Sequence, residues 1–451
     1  MDAGTDKPAA SGETGIDPRY LHDWSGLERG TPRVLHRPRS TEEVAAIVAA
    51  CDRDGSKITV QGGLTGLAGG AVPADGDVVI NLERMNAIEH VDSLEGIMQV
   101  QAGATLQQVQ LAAEAAGWYF PVDLGARGSC QVGGNASTNA GGIRVIRYGT
   151  MRDAVLGLEV VLADGSVVTS LTRLVKNSAG LDPRFLFIGS EGTLGIITRL
   201  TLRLQPKPGD TVTAFAALPS LDGVTSLLRD LRRALGPSLS AFEFMSTRFV
   251  DLSLRLTGVA RPLETAAPWY VLLDATGAPG ADVTPALHQA LEHAMADGLV
   301  ADCAVAANGA QGQRFWRVRE GIPEILTELK PLINFDVGLP WVETRGFIER
   351  AEATLTARFP EATHLFFGHL GDNNIHVVSG PHRPVDFHAV DEIVYGELHG
   401  RRATISAEHG IGFIKKPFLH VTRSPEEIAL LRRLKTALDL NATLNPGRVF
   451  D

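Results

Sequence analysis

The segment His364-Leu365-Phe366-Phe367-Gly368-His369-Leu370-Gly371-Asp372-Asn373-Asn374-Ile375-His376-Val377-Val378 sets two histidines into apolar, strand-like runs on either side of a Gly-Asp-Asn-Asn turn. With 371–374 as the turn, His369 and His376 are expected to oppose each other directly across a hairpin. Opposed residues share a face with Cβ atoms about 4.5–5.5 Å apart, near enough for two imidazoles to meet one metal ion at about 2.0–2.1 Å. Taken alone, such a pair can equally cap the hydrogen bonds of the turn. Ser406-Ala407-Glu408-His409-Gly410-Ile411-Gly412 supplies a carboxylate, Glu408, and a further histidine, His409, in a glycine-rich turn. Two histidines and a carboxylate leave coordination positions open for a substrate or water, and a neutral histidine beside them can accept a proton. An ordinary surface pair of Glu408 and His409 is the competing reading.

Two glycine-dense stretches point to a second kind of chemistry. In Gln61–Gly70, residues Gly62, Gly63, Leu64, Thr65, Gly66, Leu67 and Gly69 follow a strand and expose backbone N–H groups with little obstruction, as a nest around a pyrophosphate requires. A tight structural connection would use the same glycines. The second stretch, with Gly133, Gly134, Asn135, Thr138, Asn139 and Gly142, adds amide and hydroxyl groups able to bond a flat heterocycle or its phosphates. Two such loops favour a long dinucleotide, while the chain contains neither G-x-G-x-x-G nor G-x-x-x-x-G-K-[ST]. A cofactor domain other than a Rossmann or P-loop domain is expected.

The elements that carry these loops follow from pattern. Ser40 and Glu43 have capping-box spacing, predicting a helix through Cys51 that stops before Gly55. Ile58–Val60 is expected to be a strand running into the first glycine loop, with further strands over Val78–Leu82, Ile97–Gln101 and Leu158–Leu162. Leu106–Ala116 is helical in pattern and closed by Gly117; Asp164-Gly165 turns the chain into Val167 and Val168. In Ile196–Leu204, apolar residues alternate with Arg199, Thr201 and Arg203, predicting a half-buried strand. Gln205-Pro206-Lys207-Pro208-Gly209 is the best domain boundary. The expected plan is a tail and lead-in over 1–29, a cofactor domain over 30–206, a substrate and metal domain over 207–410, and a C-terminal segment over 411–451.

The 451 residues are 44% apolar and 21% charged, with a net charge of −10, which describes a globular protein and disfavours nucleic acid as a partner. No apolar run approaches the roughly 20 residues of a bilayer crossing, and the polar, small N-terminus lacks a secretory pattern, so a cytoplasmic location is the default expectation. Cys51, Cys130 and Cys303 form no C-x-x-C pair and are expected to be buried thiols.

The first loop, Pro121-Val122-Asp123-Leu124-Gly125-Ala126, the second loop and Gly189-Ser190-Glu191-Gly192-Thr193-Leu194-Gly195-Ile196-Ile197 together resemble the vanillyl-alcohol-oxidase-type FAD domain over about 30–206. The resemblance implies FAD extended between two subdomains, touched also by Pro121, Leu124, Gly125, Gly192, Ile196 and Ile197. Leu64 stands where some relatives carry a tethering histidine, which implies non-covalent FAD. Gly368-His369-Leu370-Gly371-Asp372-x-Asn374-x-His376, Glu408-His409-Gly410-x-Gly412 and the terminal Asn445-Pro446-Gly447 resemble the C-terminal domain of FAD-linked D-2-hydroxyacid dehydrogenases.

That second resemblance implies an α+β fold: a two-subdomain FAD domain, then an α+β substrate domain, with the C-terminus, including Asn445, returning toward the flavin. It implies that His369, His376 and Glu408 bind Zn2+ or another divalent metal and that His409 takes the hydroxyl proton. Arg319, in Trp316-Arg317-Val318-Arg319-Glu320, falls where the family places a carboxylate-binding arginine, a role suited to a bidentate guanidinium; without that context a surface pair with Glu320 is the ordinary reading. Asn334 is the other substrate-binding candidate. Ser240–Met245 and Arg127–Cys130 resemble the hydroxyglutarate-oxidising branch, whereas Pro323, Asn334 and Val378 stand where threonine, lysine and asparagine are usual there. The expected substrate is a D-2-hydroxy acid, D-2-hydroxyglutarate first, with D-lactate or D-malate as alternatives. An electron-transfer flavoprotein or quinone is the expected acceptor, and a homodimer the possible assembly. A metallohydrolase, or a flavin subunit without independent activity, are the readings from other classes.

Overall fold

The computed structural model describes residues 12–450; of the tail and lead-in expected over 1–29, residues 1–11 lie outside them. From Gly12 onward the lead-in is tied down: Glu13 exchanges backbone hydrogen bonds with Leu35 at 2.8 and 3.0 Å, and a 3-10 turn over Pro18–Tyr20 buries Tyr20. The chain divides into two compact units, one running to Gly142, over Gly149–Lys207 and again from Glu408, the other over Ile143–Tyr148 and Pro208–Ala407.

In the first unit, the helix Thr41–Asp54 starts where Ser40 Oγ accepts from Glu43 N at 3.3 Å and stops at Gly55, whose φ of 78° a side-chain-bearing residue rarely adopts. Val44, Ile47, Val48 and Cys51 form its buried stripe. This helix is the crossover that makes a parallel sheet possible, with Val34–His36 and Ile58–Gln61 flanking Val78–Asn81. A five-stranded antiparallel sheet follows the order Ile88–Asp92, Ile97–Gln101, Ile196–Arg203, Val155–Val161, Val167–Ser170. Ile196–Arg203 is its middle strand and is buried on both faces, Thr198 and Thr201 included, so the expectation of a half-buried strand fails there. The expected second glycine loop begins as a short helix, Val132–Ser137, and only then becomes irregular. Cys51 and Cys130 are buried, while Cys303, in the second unit, is only partly so.

The second unit is a seven-stranded antiparallel sheet in the order Asp302–Val305, Thr211–Leu218, Trp269–Thr276, Leu239–Ser246, Thr363–His369, Asn374–Gly380, Ile333–Gly338. One face is covered by the helices Thr247–Thr257, Gly309–Arg319 and Ile322–Glu328, whose Phe249, Phe315, Val318 and Ile325 pack on Leu365, Phe367 and Val378. Beyond the edge strand Ile333–Gly338, residues 404–407 run alongside it through bridges of Gly338 with Thr404 and Asp336 with Ser406. Among the described residues, no helix is long and apolar enough to cross a membrane.

The C-terminal segment completes the first unit. Ile58 N donates to Thr443 O and Asn445 N to Ile58 O, both at 2.8 Å, so residues 443–445 extend the parallel sheet at its Ile58–Gln61 edge. Arg448, 1% exposed, then donates to Gly70 O at 2.6 Å and to Thr59 Oγ1 and Val72 O at 2.8 Å while stacking on Phe413. Removing the guanidinium takes this donor from two buried acceptors, Thr59 Oγ1 and Val72 O, and from the part-buried Gly70 O, at about 1–3 kcal/mol for each buried one. Arg448→Met is expected to lower unfolding stability by roughly 3 kcal/mol or more, measured by denaturant titration; a loss below about 1 kcal/mol would show that the tail adds little.

Candidate functional site

Strand register decides which side chains meet. Phe367 pairs with His376 and Glu243 pairs with His369, so continuing the hairpin puts His369 opposite Asn374. The turn is a 3-10 step over Leu370–Asp372 closed by Asn373 at φ 73°, one residue earlier than expected, and the two histidines are diagonal neighbours instead of directly opposed. A two-residue shift keeps both on one face, because side chains alternate with period two. Their rings lie 5.3 Å apart at 82°, and each histidine is 7% exposed.

The same face carries acids that sequence analysis left without a role. Glu243 Oε1 lies 2.6 Å from His369 Nδ1, and Asp336 stands directly opposite His376. Both are fully buried in otherwise apolar strands, Phe242-Glu243-Phe244 and Phe335-Asp336-Val337, and that isolated charge within an apolar run was the available signal. Burial pushes the Glu243 carboxyl up, but the charges of His369 and Arg319 and their hydrogen bonds outweigh it and hold it at about 2.

The stretch 404–407 brings Glu408 to this face. Ala407 N donates to Asp336 O at 2.8 Å and Ser406 Oγ to Asp336 Oδ2 at 3.0 Å, fixing the residues just before Glu408. One ligand atom from each of His369, His376 and Glu408 lies within 4.8 Å of the others, a spacing that suits a single cation. The donor set fits: with Nδ1 of His369 facing Glu243, Nε2 is the nitrogen through which it would ligate. Asn374, 2% exposed on the face that carries His376, has neither side-chain Oδ1 nor Nδ2 bonded to protein, as expected beside a polar guest.

Arg319 closes the helix Gly309–Arg319 and is 4% exposed. Its partner is Glu243, not the neighbouring Glu320: Nε donates to Glu243 Oε2 at 2.8 Å, and the guanidinium lies 4.9 Å from the Phe367 ring centroid. Nη1 and Nη2 are not used by this pair. Asn334 lies on the edge strand opposite Val378, two residues from Asp336 on the same face, with Oδ1 buried and without a protein partner. Val378 is part of the apolar cluster, and Pro323 opens the helix Ile322–Glu328. His409, half-buried, follows Glu408 in the chain.

In the first unit, Leu64 at φ 60° and Asn139 at φ 53° bend the two loops through left-handed backbone. Gly63 is required by close approach, since a Cβ there would lie 2.0 Å from Ser129 O, and Gly142 likewise, 1.9 Å from Asp123 O. These two are glycines for packing; Gly134, with nothing within 4 Å of a Cβ, faces open space. Gln131 Oε1, beside Gly62, and Ser190 Oγ are buried without protein partners, acceptors fitted to a polar cofactor. Pro121 is buried, Leu124, Thr65 and Leu67 are half-buried, and Gly66 and Gly125 are exposed. Gly192, Ile196 and Ile197 are buried at the start of the middle strand. Asn445 joins three of these segments: Oδ1 accepts from Val60 N at 2.8 Å and Nδ2 donates to Glu191 O at 2.7 Å. Glu191 in turn accepts from Ile411 N at 2.6 Å and Gly412 N at 2.8 Å, which pins the turn that follows His409; sequence analysis did not assign it that role.

Family models match over nearly all of this framework: an FAD binding domain over residues 32–170 and the C-terminal domain of FAD linked oxidases over 207–449. The chain belongs to the FAD-linked oxidase family. It is an FAD-dependent oxidoreductase. A D-2-hydroxyglutarate dehydrogenase of Xanthomonas citri pv. viticola is 40% identical, over 96% of this chain and 92% of the relative. The mitochondrial D-2-hydroxyglutarate dehydrogenase of Bos taurus is 39% identical over 96% of this chain and 80% of its own length. A putative mitochondrial D-lactate dehydrogenase of Schizosaccharomyces pombe is 35% identical, covering 94% and 83%. Among solved structures, p-cresol methylhydroxylase superposes with a TM-score of 0.77 at 17% identity, covering 96% of this chain and 92% of that one. The 4-ethylphenol oxidase of Gulosibacter chungangensis gives 0.71 at 17% with the same coverage. These neighbours establish the fold of the family, the mixed helix-and-sheet architecture of vanillyl-alcohol-oxidase-type flavoenzymes.

Proposed function

We propose that this chain oxidises a D-2-hydroxy acid, D-2-hydroxyglutarate before others, to the 2-oxo acid. The observation that carries the reading is the convergence of His369, His376 and Glu408 within 4.8 Å, in a family whose similar members are named for that substrate. When bound, a divalent cation supplies Lewis acidity that lowers the pKa of the C2 hydroxyl, and FAD, held non-covalently, takes up the C2 hydride.

The protein's own residues divide the remaining work. His369 and His376 are the nitrogen ligands and Glu408 the oxygen ligand. His409 accepts the hydroxyl proton, leaving the two electrons of the C2–H bond to depart with hydrogen as hydride. Arg319 offers Nη1 and Nη2 to the C1 carboxylate while Nε stays with Glu243. The FAD contacts are assigned to the glycine loops, with the orphaned Gln131 Oε1 and Ser190 Oγ in support.

D-lactate or D-malate is the second reading, favoured by a specific observation: Asn334, Pro323 and Val378 place no cation on this face for a distal carboxylate, and Val378 is fully buried. An electron-transfer flavoprotein or quinone as acceptor, a homodimer and a cytoplasmic location complete the proposal. The names of several relatives place those proteins in mitochondria.

Acid precipitation is expected to release all flavin into the supernatant; flavin retained on the polypeptide would overturn non-covalent binding. His376→Ala should lose bound metal and turnover while keeping flavin absorbance, and full activity of protein stripped of metal would remove the cation from the reaction. Flavin reduction should be faster with D- than with L-enantiomers of 2-hydroxyglutarate, malate and lactate, and His409→Ala should slow it by about 10² to 10⁴ with metal content unchanged. Preference for L-forms, or an unaltered rate in the variant, would refute the stereochemical or the proton-acceptor assignment respectively.

A further inference from the structure

Glu243 bonds through its two carboxylate oxygens to a proposed metal ligand and to the proposed carboxylate-binding arginine. Oε1 lies 2.6 Å from His369 Nδ1, Oε2 accepts from Arg319 Nε at 2.8 Å, and the carboxylate is fully buried. Phe367 closes the same space, its ring 4.9 Å from the Arg319 guanidinium, 5.2 Å from the His376 ring and 4.5 Å from Phe249. In this setting water does not screen the three groups, and each fixes the orientation of the others.

We propose that Glu243 is a positioning residue that couples cation binding to substrate-carboxylate binding. A carboxylate at Oε1 can only accept, so the His369 proton is held on Nδ1 and the Nε2 lone pair is kept for the cation. At Oε2 the same carboxylate fixes the plane of the guanidinium and commits Nε, so Nη1 and Nη2 form the edge presented to a ligand. One rigid acid thereby sets the distance between the place where a hydroxyl oxygen is held and the place where its neighbouring carboxylate is held. Any α-hydroxy acid has a fixed separation of those two groups, whereas a simple alcohol or a β-hydroxy acid does not match it. The inference rests on the metal and arginine roles proposed above.

Glutamine cannot replace this acid. Its single oxygen can serve His369 or Arg319, and its amide nitrogen, a donor, then faces the donor that remains. If the amide faces His369, Nδ1 must accept and the proton moves to Nε2, which abolishes ligation. Glu243→Gln also leaves a buried guanidinium unpaired, so the double variant Glu243→Met with Arg319→Met, which removes both charges and leaves His369 Nδ1 no acceptor at 243, accompanies it as a test that survives any folding defect of the single change.

The measurement is Zn2+ and Mn2+ content of the yellow holoenzyme after equilibration in graded chelator buffers, alongside KM and kcat at saturating metal for the single variant. Glu243→Gln is expected to weaken cation binding by about 10- to 100-fold, the usual effect of removing a histidine's outer partner, and to raise KM for the hydroxy acid more than it lowers kcat. The double variant should keep the cation defect. Wild-type cation affinity in the double variant would show that Glu243 only neutralises Arg319, and would overturn the proposal. Equal, weak binding by the unaltered enzyme and by His376→Ala would instead defeat the metal reading itself, and this inference with it.

Discussion

A carboxylate placed inside an apolar sheet must find its counter-charges there, and this constraint organises the second unit. Its packed face carries Glu243, Asp274 and Asp336, each at most 1% exposed, and one helix meets the first two. The helix Gly309–Arg319 answers both from positions one turn apart: Trp316 Nε1 donates to the Asp274 carboxylate at 3.1 Å, and Arg319 Nε to Glu243. Phe315 and Val318 supply the apolar stripe that docks the helix, but an apolar stripe alone tolerates sliding. The two directional contacts select one register, because a buried acid without its partner costs several kcal/mol. Arg144 and Thr213 complete the Asp274 shell at 2.7 and 2.6 Å. The arginine that faces the candidate site is therefore placed by the same interaction that places the helix.

The first unit solves a different problem, that of holding open, glycine-rich backbone in one conformation. Glycine loops contribute little packing of their own, so the order must come from segments around them. Asn445, Glu191 and Arg448 supply it, each bonding backbone groups from a distant part of the chain. Glu191 does so from a left-handed backbone at φ 51°, strain that its buried carboxylate and the clasp of Asn445 hold in place. Lys415 beside it is 2% exposed, and burial pushes its amine down to about 7 against the pull of the Glu191 charge. Within the same unit, Ile411 N and Gly412 N hold the turn after His409 on the Glu191 carboxylate.

Much of this was legible in the sequence wherever local pattern and tertiary environment agreed. The helix after Ser40, the strand before the first glycine loop and the residues of the candidate cation cluster follow from capping, periodicity and motif. Gly371–Asn374 has the composition of a self-contained turn, but the chain turns over Leu370–Asn373, with Asn373 bonded to Leu339 just past the edge strand. Ile196–Arg203 was taken as half-buried because polar residues alternate there; as the middle strand it hides even its threonines. Glu243 and Asp336 escaped because their partners are more than 30 residues away and arrive only through strand pairing. For Asn334, Pro323 and Val378, sequence showed a departure from the hydroxyglutarate-oxidising pattern, and the fold adds that Val378 belongs to the apolar core.

The C-terminal strand beside Ile58 has a consequence for how the protein comes into being. Synthesis delivers the 58–61 strand and its glycine loop well before the edge partner at 443–445 and the plug at Arg448. Nearly all of the seven-stranded unit, by contrast, lies in one uninterrupted stretch from Pro208 to Ala407 and is complete before them. The nascent flavin-binding unit must therefore wait, with an unpaired parallel edge, through the translation of an entire second unit, a delay of tens of seconds at about 5–20 residues per second. An exposed strand edge is the feature that invites pairing with other chains. Closure of the first two hundred residues therefore waits on a segment, 443–448, that is made only after the whole second unit.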